Sequence, residues 1–139
     1  MPCTNSLIGG GGFHHVAIKV RDFERSIAFY QDVLGFRTKI AWTMGNGTPA
    51  TMLDTGDGNY LEVFGDPSFE ATPNGAILHL ALRTTDVDAA TERCRAAGCK
   101  VTMEPKSLVI PAAEPTPVRI SFVEAPEGVV IEFFQNELT

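Results

Sequence analysis

Cysteine is scarce and poorly placed for cross-linking: the 139 residues hold only Cys3, Cys94 and Cys99, an odd number with no CxxC pair. That excludes the disulfide framework on which small secreted domains rely and fits reduced thiols. Cys94 falls on the apolar stripe of a predicted helix, where it reads as a small core residue. Positive charge is also short. Eleven Lys and Arg against seventeen Asp and Glu leave a formal net charge of −6, and no basic run occurs. Phosphate backbones and anionic membranes need clustered cations, so nonspecific nucleic-acid and membrane-surface binding are excluded as expected roles. No apolar run approaches the roughly 20 residues that span a bilayer. Residues 1–12, MPCTNSLIGGGG, lack the basic start and long apolar core of a signal peptide, and the expected location is cytoplasmic. The four glycines ending that stretch are expected to belong to a flexible tail. Glycines that cradle phosphate open a helix, whereas these precede a strand.

What the chain has is an internal repeat. The stretch from Phe13 to Phe36, FHHVAIKVRDFERSIAFYQDVLGF, returns in degraded form from Leu78 to Met103. His15 lies seven positions before Asp22, and His79 seven before Asp86; Gly35 and Gly98 follow the two histidines by twenty and nineteen positions. Each copy therefore reads as a strand bearing a histidine, an aspartate that caps a helix, and a glycine that stops it. The ends match as well, because GNYLE places Glu62 and GVVIE places Glu132 in strands that are otherwise apolar or aromatic. The period is 64 from His15 to His79 and 70 from Glu62 to Glu132. Repeated units usually stack with equivalent positions related by pseudo-symmetry, which brings equivalent side chains toward a shared surface.

Between these landmarks the pattern predicts an α+β chain. From Phe13 to Val20 the alternation sets Val16, Ile18 and Val20 on a core face and His15, Ala17 and Lys19 on the other. A helix is expected from Phe23 to Leu34, with Phe23, Ile27, Tyr30 and Leu34 as its buried stripe. Strands are expected around residues 37–42, 50–54 and 60–64, which makes the first module, about 13–66, β-α-β-β-β. A Gly/Asp/Pro-rich link, Gly65 to Gly75, precedes a second module of about 76–135. There a strand from Ile77 to Arg83 leads into a helix with Val87, Ala90, Cys94 and Ala97 on its stripe. Further strands are expected near residues 100–103, 118–123 and 129–134. The intervening Glu104 to Pro117, rich in proline, reads as a covering loop that absorbs the extra residues of the longer period. Residues 13–139 are expected to form one domain, since two independent ones would be small.

Taken singly, a strand histidine is more often a hydrogen-bonded structural residue than a ligand. Glutamates in YLEVF and VIEFF are harder to explain, because an ionised carboxylate on an apolar strand costs several kcal/mol unless it is paired, protonated or on a metal. Ion pairs with Lys19 and Arg83 would neutralise one glutamate each, but they leave the two equivalent histidines without a reason. A divalent cation explains all four. His15, Glu62, His79 and Glu132 offer two neutral imidazoles and two carboxylates, a donor set suited to Zn, Ni or Co, with Mn or Fe as further candidates. Four ligands leave room for water or substrate. His14 has the opposite parity and is excluded from the set. Tyr60 and Phe64 beside Glu62, Phe134 beside Glu132, and Trp42 before a Gly/Asn/Gly loop are candidate pocket walls. Lys19 and Arg83, each four residues after a repeat-equivalent histidine, are candidates for orienting an anionic substrate.

From Phe13 to Gln135 the chain resembles the vicinal oxygen chelate superfamily, and the His, Glu, His, Glu order is most similar to glyoxalase I, the lactoylglutathione lyase. The resemblance implies paired βαβββ modules with a metal in a concave sheet, held by His15, Glu62, His79 and Glu132, commonly in a homodimer. It implies a small-molecule substrate, a hemithioacetal of a 2-oxoaldehyde, isomerised through a metal-bound enediolate with Glu132 or Glu62 carrying the proton. Two positions depart from the glyoxalase I pattern: Lys19 stands where that family tends to have an arginine that binds glutathione, and Asp66 where it tends to have asparagine. Glutathione as co-substrate is thus less firmly implied than the metal. Other members of the superfamily fit less well. Methylmalonyl-CoA epimerase-like isomerases tend to carry glutamine at the position of Glu62, dioxygenases use a triad that leaves Glu62 unnecessary, and bleomycin-resistance-type binding proteins usually lack the metal set.

Overall fold

The structure, a computed structural model, describes residues 13, 15–70, 79–111 and 115–137. The chain divides between Phe69 and Glu70 into two compact units of the same design. The expected tail, His14, and the start of the second repeat before His79 lie outside the described residues. No helix among the described residues is long and apolar enough to cross a membrane.

In the first unit β1 (His15–Val20), α1 (Phe23–Ala28), β2 (Arg37–Thr43), β3 (Pro49–Asp54) and β4 (Tyr60–Gly65) follow in order. The open sheet runs β1-β4-β3-β2, with β1 parallel to β4 and the remaining pairs antiparallel. A parallel pair needs a crossover connection, and α1 supplies it. Asp22 starts the helix by accepting the Arg25 N–H at 3.1 Å. The strands behave as alternation requires: in β4, Leu61 and Val63 are buried while Tyr60, Glu62 and Phe64 are only partly covered.

The helix expected over 23–34 changes winding halfway. Residues Phe29–Val33 form a π turn, in which the Leu34 N–H reaches back five residues to the Phe29 carbonyl at 3.4 Å. The wider turn lets the neighbours Phe29 and Tyr30 both go inside, and Tyr30 stacks on Phe36 at 5.6 Å between ring centroids. A stripe at ordinary helical spacing does not anticipate two adjacent buried aromatics.

The second unit repeats the plan with β5 (Leu80–Arg83), α2 (Val87–Ala96), β6 (Lys100–Ile110), β7 (Thr116–Glu124) and β8 (Val130–Gln135), in the order β5-β8-β7-β6. Asp86 caps α2 through the Ala89 N–H at 2.9 Å. Two expectations are corrected here. The buried stripe of α2 is Val87, Thr91 and Cys94, while Ala97 is exposed. Thr91 takes its place inside because its hydroxyl bonds the Val87 carbonyl at 2.6 Å and meets Ser121 Oγ at 2.7 Å across the interface with β7.

The second correction is larger. Most of Glu104 to Pro117, expected as a covering loop, is a long hairpin: β6 continues to Ile110 and β7 begins at Thr116. Proline is tolerated because β6 is an edge strand and Pro105 falls in a register shift between Met103 and Lys106. Pro117 pairs only with β6, since β8 joins β7 from Arg119 onward.

Candidate functional site

Pairing register decides which side chains share a face. In the first sheet His15 pairs with Tyr60, Ala17 with Glu62 and Lys19 with Phe64; Glu62 also faces Met52, and Phe64 and Trp42 both pair with Ala50. His15, Lys19, Trp42, Tyr60, Glu62 and Phe64 therefore stand on one face, opposite to Val16, Ile18, Leu61 and Val63. His15 Nε2 is 3.3 Å from Glu62 Oε2. The wall is aromatic: Trp42 meets Phe64 edge-on at 6.1 Å, and its indole N–H donates to Met44 Sδ at 3.2 Å.

Lys19 does not bind Glu62. Its ammonium lies 3.6 Å from Asp66 Oδ2 and 6.0 Å from the centre of the Phe69 ring. Asp66 accepts the Ser68 hydroxyl at 2.6 Å and the Ser68 N–H at 3.0 Å. These two hydrogen bonds, with Lys19 adding to them, hold its carboxyl below the usual carboxylate range. The chain thus provides an internal counter-ion at one of the positions considered for orienting an anionic substrate.

The second unit makes the equivalent pair on its own sheet. Ala81 and Phe122 both pair with Glu132, and Arg83 and Ile120 with Phe134, so these residues share a face. His79, one residue before β5, sets its Nε2 3.1 Å from Glu132 Oε2. Glu132 is a buried carboxylate, whereas Glu62 is half-buried. Phe122 is a contact that sequence reading missed: its ring meets the His79 imidazole edge-on at 5.4 Å. The alternation of VRISFVE marks Phe122 as facing with Ile120, but its position beside Glu132 depends on which strand β7 pairs with.

Each pair has a spacing with chemical meaning. Two ligands on one cation, with bonds of about 2.0–2.2 Å and angles between roughly 90° and 110°, lie about 2.8–3.6 Å apart. The observed 3.3 and 3.1 Å fall inside that window. The same distances suit a protonated histidine donating to a carboxylate, so the donors fit a metal or a proton. Among the described residues no group of three or more His, Cys, Asp or Glu is gathered for a metal; the pairing in each unit is what is seen.

A recess of about 480 Å³ in the second unit has Arg119 and Gln135 in its wall. These two residues pair with each other in register and reach α2, Arg119 through a two-pronged contact with Asp88 at 2.6 and 2.7 Å and Gln135 by accepting the Val87 N–H at 3.2 Å. They lie on the opposite side of the sheet from Glu132, and the guanidinium is already matched to a carboxylate.

Comparison with known proteins agrees with this architecture. The model for the Glyoxalase/Bleomycin resistance protein/Dioxygenase superfamily matches residues 12–133. A lactoylglutathione lyase of Haemophilus influenzae is 35% identical over 132 residues, covering 90% of this chain and 93% of that protein. The uncharacterized protein YwbC of Bacillus subtilis is 33% identical over 125 residues, covering 88% and 95%. Among solved structures, the trypanothione-dependent glyoxalase I of Leishmania major superposes with a TM-score of 0.72 at 22% identity, covering 91% of this chain and 87% of that one.

Proposed function

Since the chain belongs to the Glyoxalase/Bleomycin resistance protein/Dioxygenase superfamily, we propose that it is a divalent-metal-dependent lyase or isomerase of the lactoylglutathione lyase kind, acting on the hemithioacetal of a 2-oxoaldehyde. The observation that carries this reading is the duplicated His–Glu pair, with N-to-O separations of 3.3 and 3.1 Å at repeat-equivalent positions. Relatives bearing the lactoylglutathione lyase name at 28–35% identity support the substrate class.

The His15–Glu62 and His79–Glu132 pairs would supply the ligands of the proposed metal, which would contribute Lewis-acid polarisation of adjacent substrate oxygens. The remaining work belongs to the side chains. Glu132 has its Oε2 toward His79, and in the proposed reaction its Oε1 takes the proton from one substrate carbon and returns it to the neighbouring one. Its burial keeps that proton from exchanging freely with water during the transfer. Glu62, the more accessible of the two carboxylates, stays a ligand. Trp42, Tyr60, Phe64 and Phe134 supply apolar walls, and Arg83 provides a cation for an anionic substrate. Lys19 is offset by Asp66, which weakens its pull on a glutathione carboxylate.

A methylglyoxal assay, run with and without glutathione on metal-loaded protein, tests the proposal. Turnover should need both thiol and metal, and Glu132→Gln should lower kcat by roughly 10²–10⁴-fold, the usual contribution of a positioned acid or base. Turnover without any thiol would reject the hemithioacetal substrate, and metal binding with no turnover would point to another isomerisation.

A further inference from the structure

The two units stop their first helices in parallel ways but fill the stop differently. In the first, Gly35 has φ +74°, its N–H bonds the Gln31 carbonyl at 3.1 Å, and the side chains spanning the turn are two stacked aromatics, Tyr30 and Phe36. In the second, Gly98 has φ +89°, its N–H bonds the Arg95 carbonyl at 3.0 Å, and the Cys99 N–H bonds the Cys94 carbonyl at 3.0 Å. This pair of bonds is the Schellman helix stop, in which the side chains at the two ends of the outer bond usually make an apolar contact. Here those side chains are two thiols. Cys94 is fully buried, Cys99 is partly exposed, and neither is in a disulfide.

The geometry points to a dithiol site at residues 94 and 99 that a hydroperoxide converts to a disulfide. A disulfide needs Cα atoms roughly 4.4–6.8 Å apart with side chains directed at each other, and a closed turn pinned by its outer backbone bond provides such an approach. Burial, with the Cys99 thiol nearby, pushes the Cys94 thiol up to about 12. That assigns the roles. The partly exposed Cys99 attacks first: its sulfur bonds one peroxide oxygen, the O–O bond breaks, and the departing alkoxide leaves as the alcohol after taking a proton. Cys94 sulfur then attacks the sulfenic sulfur of Cys99; the S–S bond forms, the S–O bond breaks, and hydroxide leaves as water with the Cys94 proton. Two electrons pass from the thiol pair to the peroxide. The closed bond ties the end of α2 to the residue before β6, without involving the His79–Glu132 pair.

The test uses the full chain with Cys3→Ser, so that only the two thiols at issue remain. Hydrogen peroxide at low excess should give a monomer lighter by about 2 Da, restored by reductant. Arg95 lies between the cysteines, so trypsin should leave residues 94–95 and 96–100 joined until reduction. Cys99→Ser should abolish the mass loss, and Cys94→Ser should leave a sulfenic acid on Cys99 that dimedone traps. If instead Cys99 advances to sulfinic acid while Cys94 remains fully alkylatable after unfolding, the dithiol assignment is overturned. The oxidised form should also melt a few degrees higher than the reduced one, and an unchanged or lower midpoint would contradict an unstrained closure.

Discussion

At the scale of single residues, the distinctive event is the meeting of an imidazole and a carboxylate twice, in places that the repeat relates. His15→Ala and His79→Ala should each weaken metal retention, and the effect should be matched by Glu62→Gln and Glu132→Gln. A structural ion pair would instead show itself as a change in stability with metal content unaltered. The Lys19–Asp66 pair gives a separate prediction. Asp66→Asn removes the internal counter-ion 3.6 Å from the ammonium, so the KM for an anionic thiol substrate should fall severalfold while kcat changes little; a change in kcat alone would place Asp66 in the chemistry. The histidines and glutamates were legible because subtraction of positions exposes the repeat. The partner of Lys19 was not, since a salt-bridge partner is chosen by tertiary register: Asp66 follows β4, and its N–H bonds Val20 at 2.8 Å, directly beside Lys19.

At the scale of elements, the sequence announced strands and helix stops well and misjudged what polar residues do inside. Thr91 was not among the residues expected on the α2 stripe, yet it is buried there with its hydroxyl matched by Ser121. Thr91→Val should therefore cost about 1–3 kcal/mol in urea unfolding by stranding the Ser121 hydroxyl, and adding Ser121→Ala should recover much of that loss. Gly65 closes β4 against α1: a Cβ there would lie 2.9 Å from Pro49 Cγ and 3.0 Å from Phe23 Cβ. Gly65→Ala should destabilise by about 1–3 kcal/mol, measured in the same way. The Arg119–Asp88 pair sets a pH signature. The hydrogen bond from Arg119 holds Asp88 below the usual carboxylate range, so its contribution is present above that range and is lost as pH falls through the lower folded value. Asp88 is exposed and Arg119 partly so, so the change is small, and Asp88→Asn should flatten the acid limb of the unfolding midpoint only below about pH 4. The long hairpin was illegible for a different reason. Prolines argue against a central strand but not against an edge strand or a bulge, and only the completed sheet shows that β6 is an edge.

At the scale of the whole molecule, duplication explains both the fold and the uneven period. The two units share strand order and helix stops, and the difference between periods of 64 and 70 goes into longer strands: β6 and β7 have eleven and nine residues where β2 and β3 have seven and six. A resident metal that binds only the folded chain should make stability depend on metal, by about 2.7 kcal/mol when the free ion is 100-fold above its Kd. A chelator should accordingly lower Tm by several degrees, with recovery on adding the ion back. The most direct measurement is elemental analysis of purified, metal-replete protein beside Glu62→Gln and Glu132→Gln. We expect a near-stoichiometric divalent ion in the parent chain and a marked loss in both variants; no bound ion under metal-replete conditions, or the same content in all three proteins, would contradict the metal site.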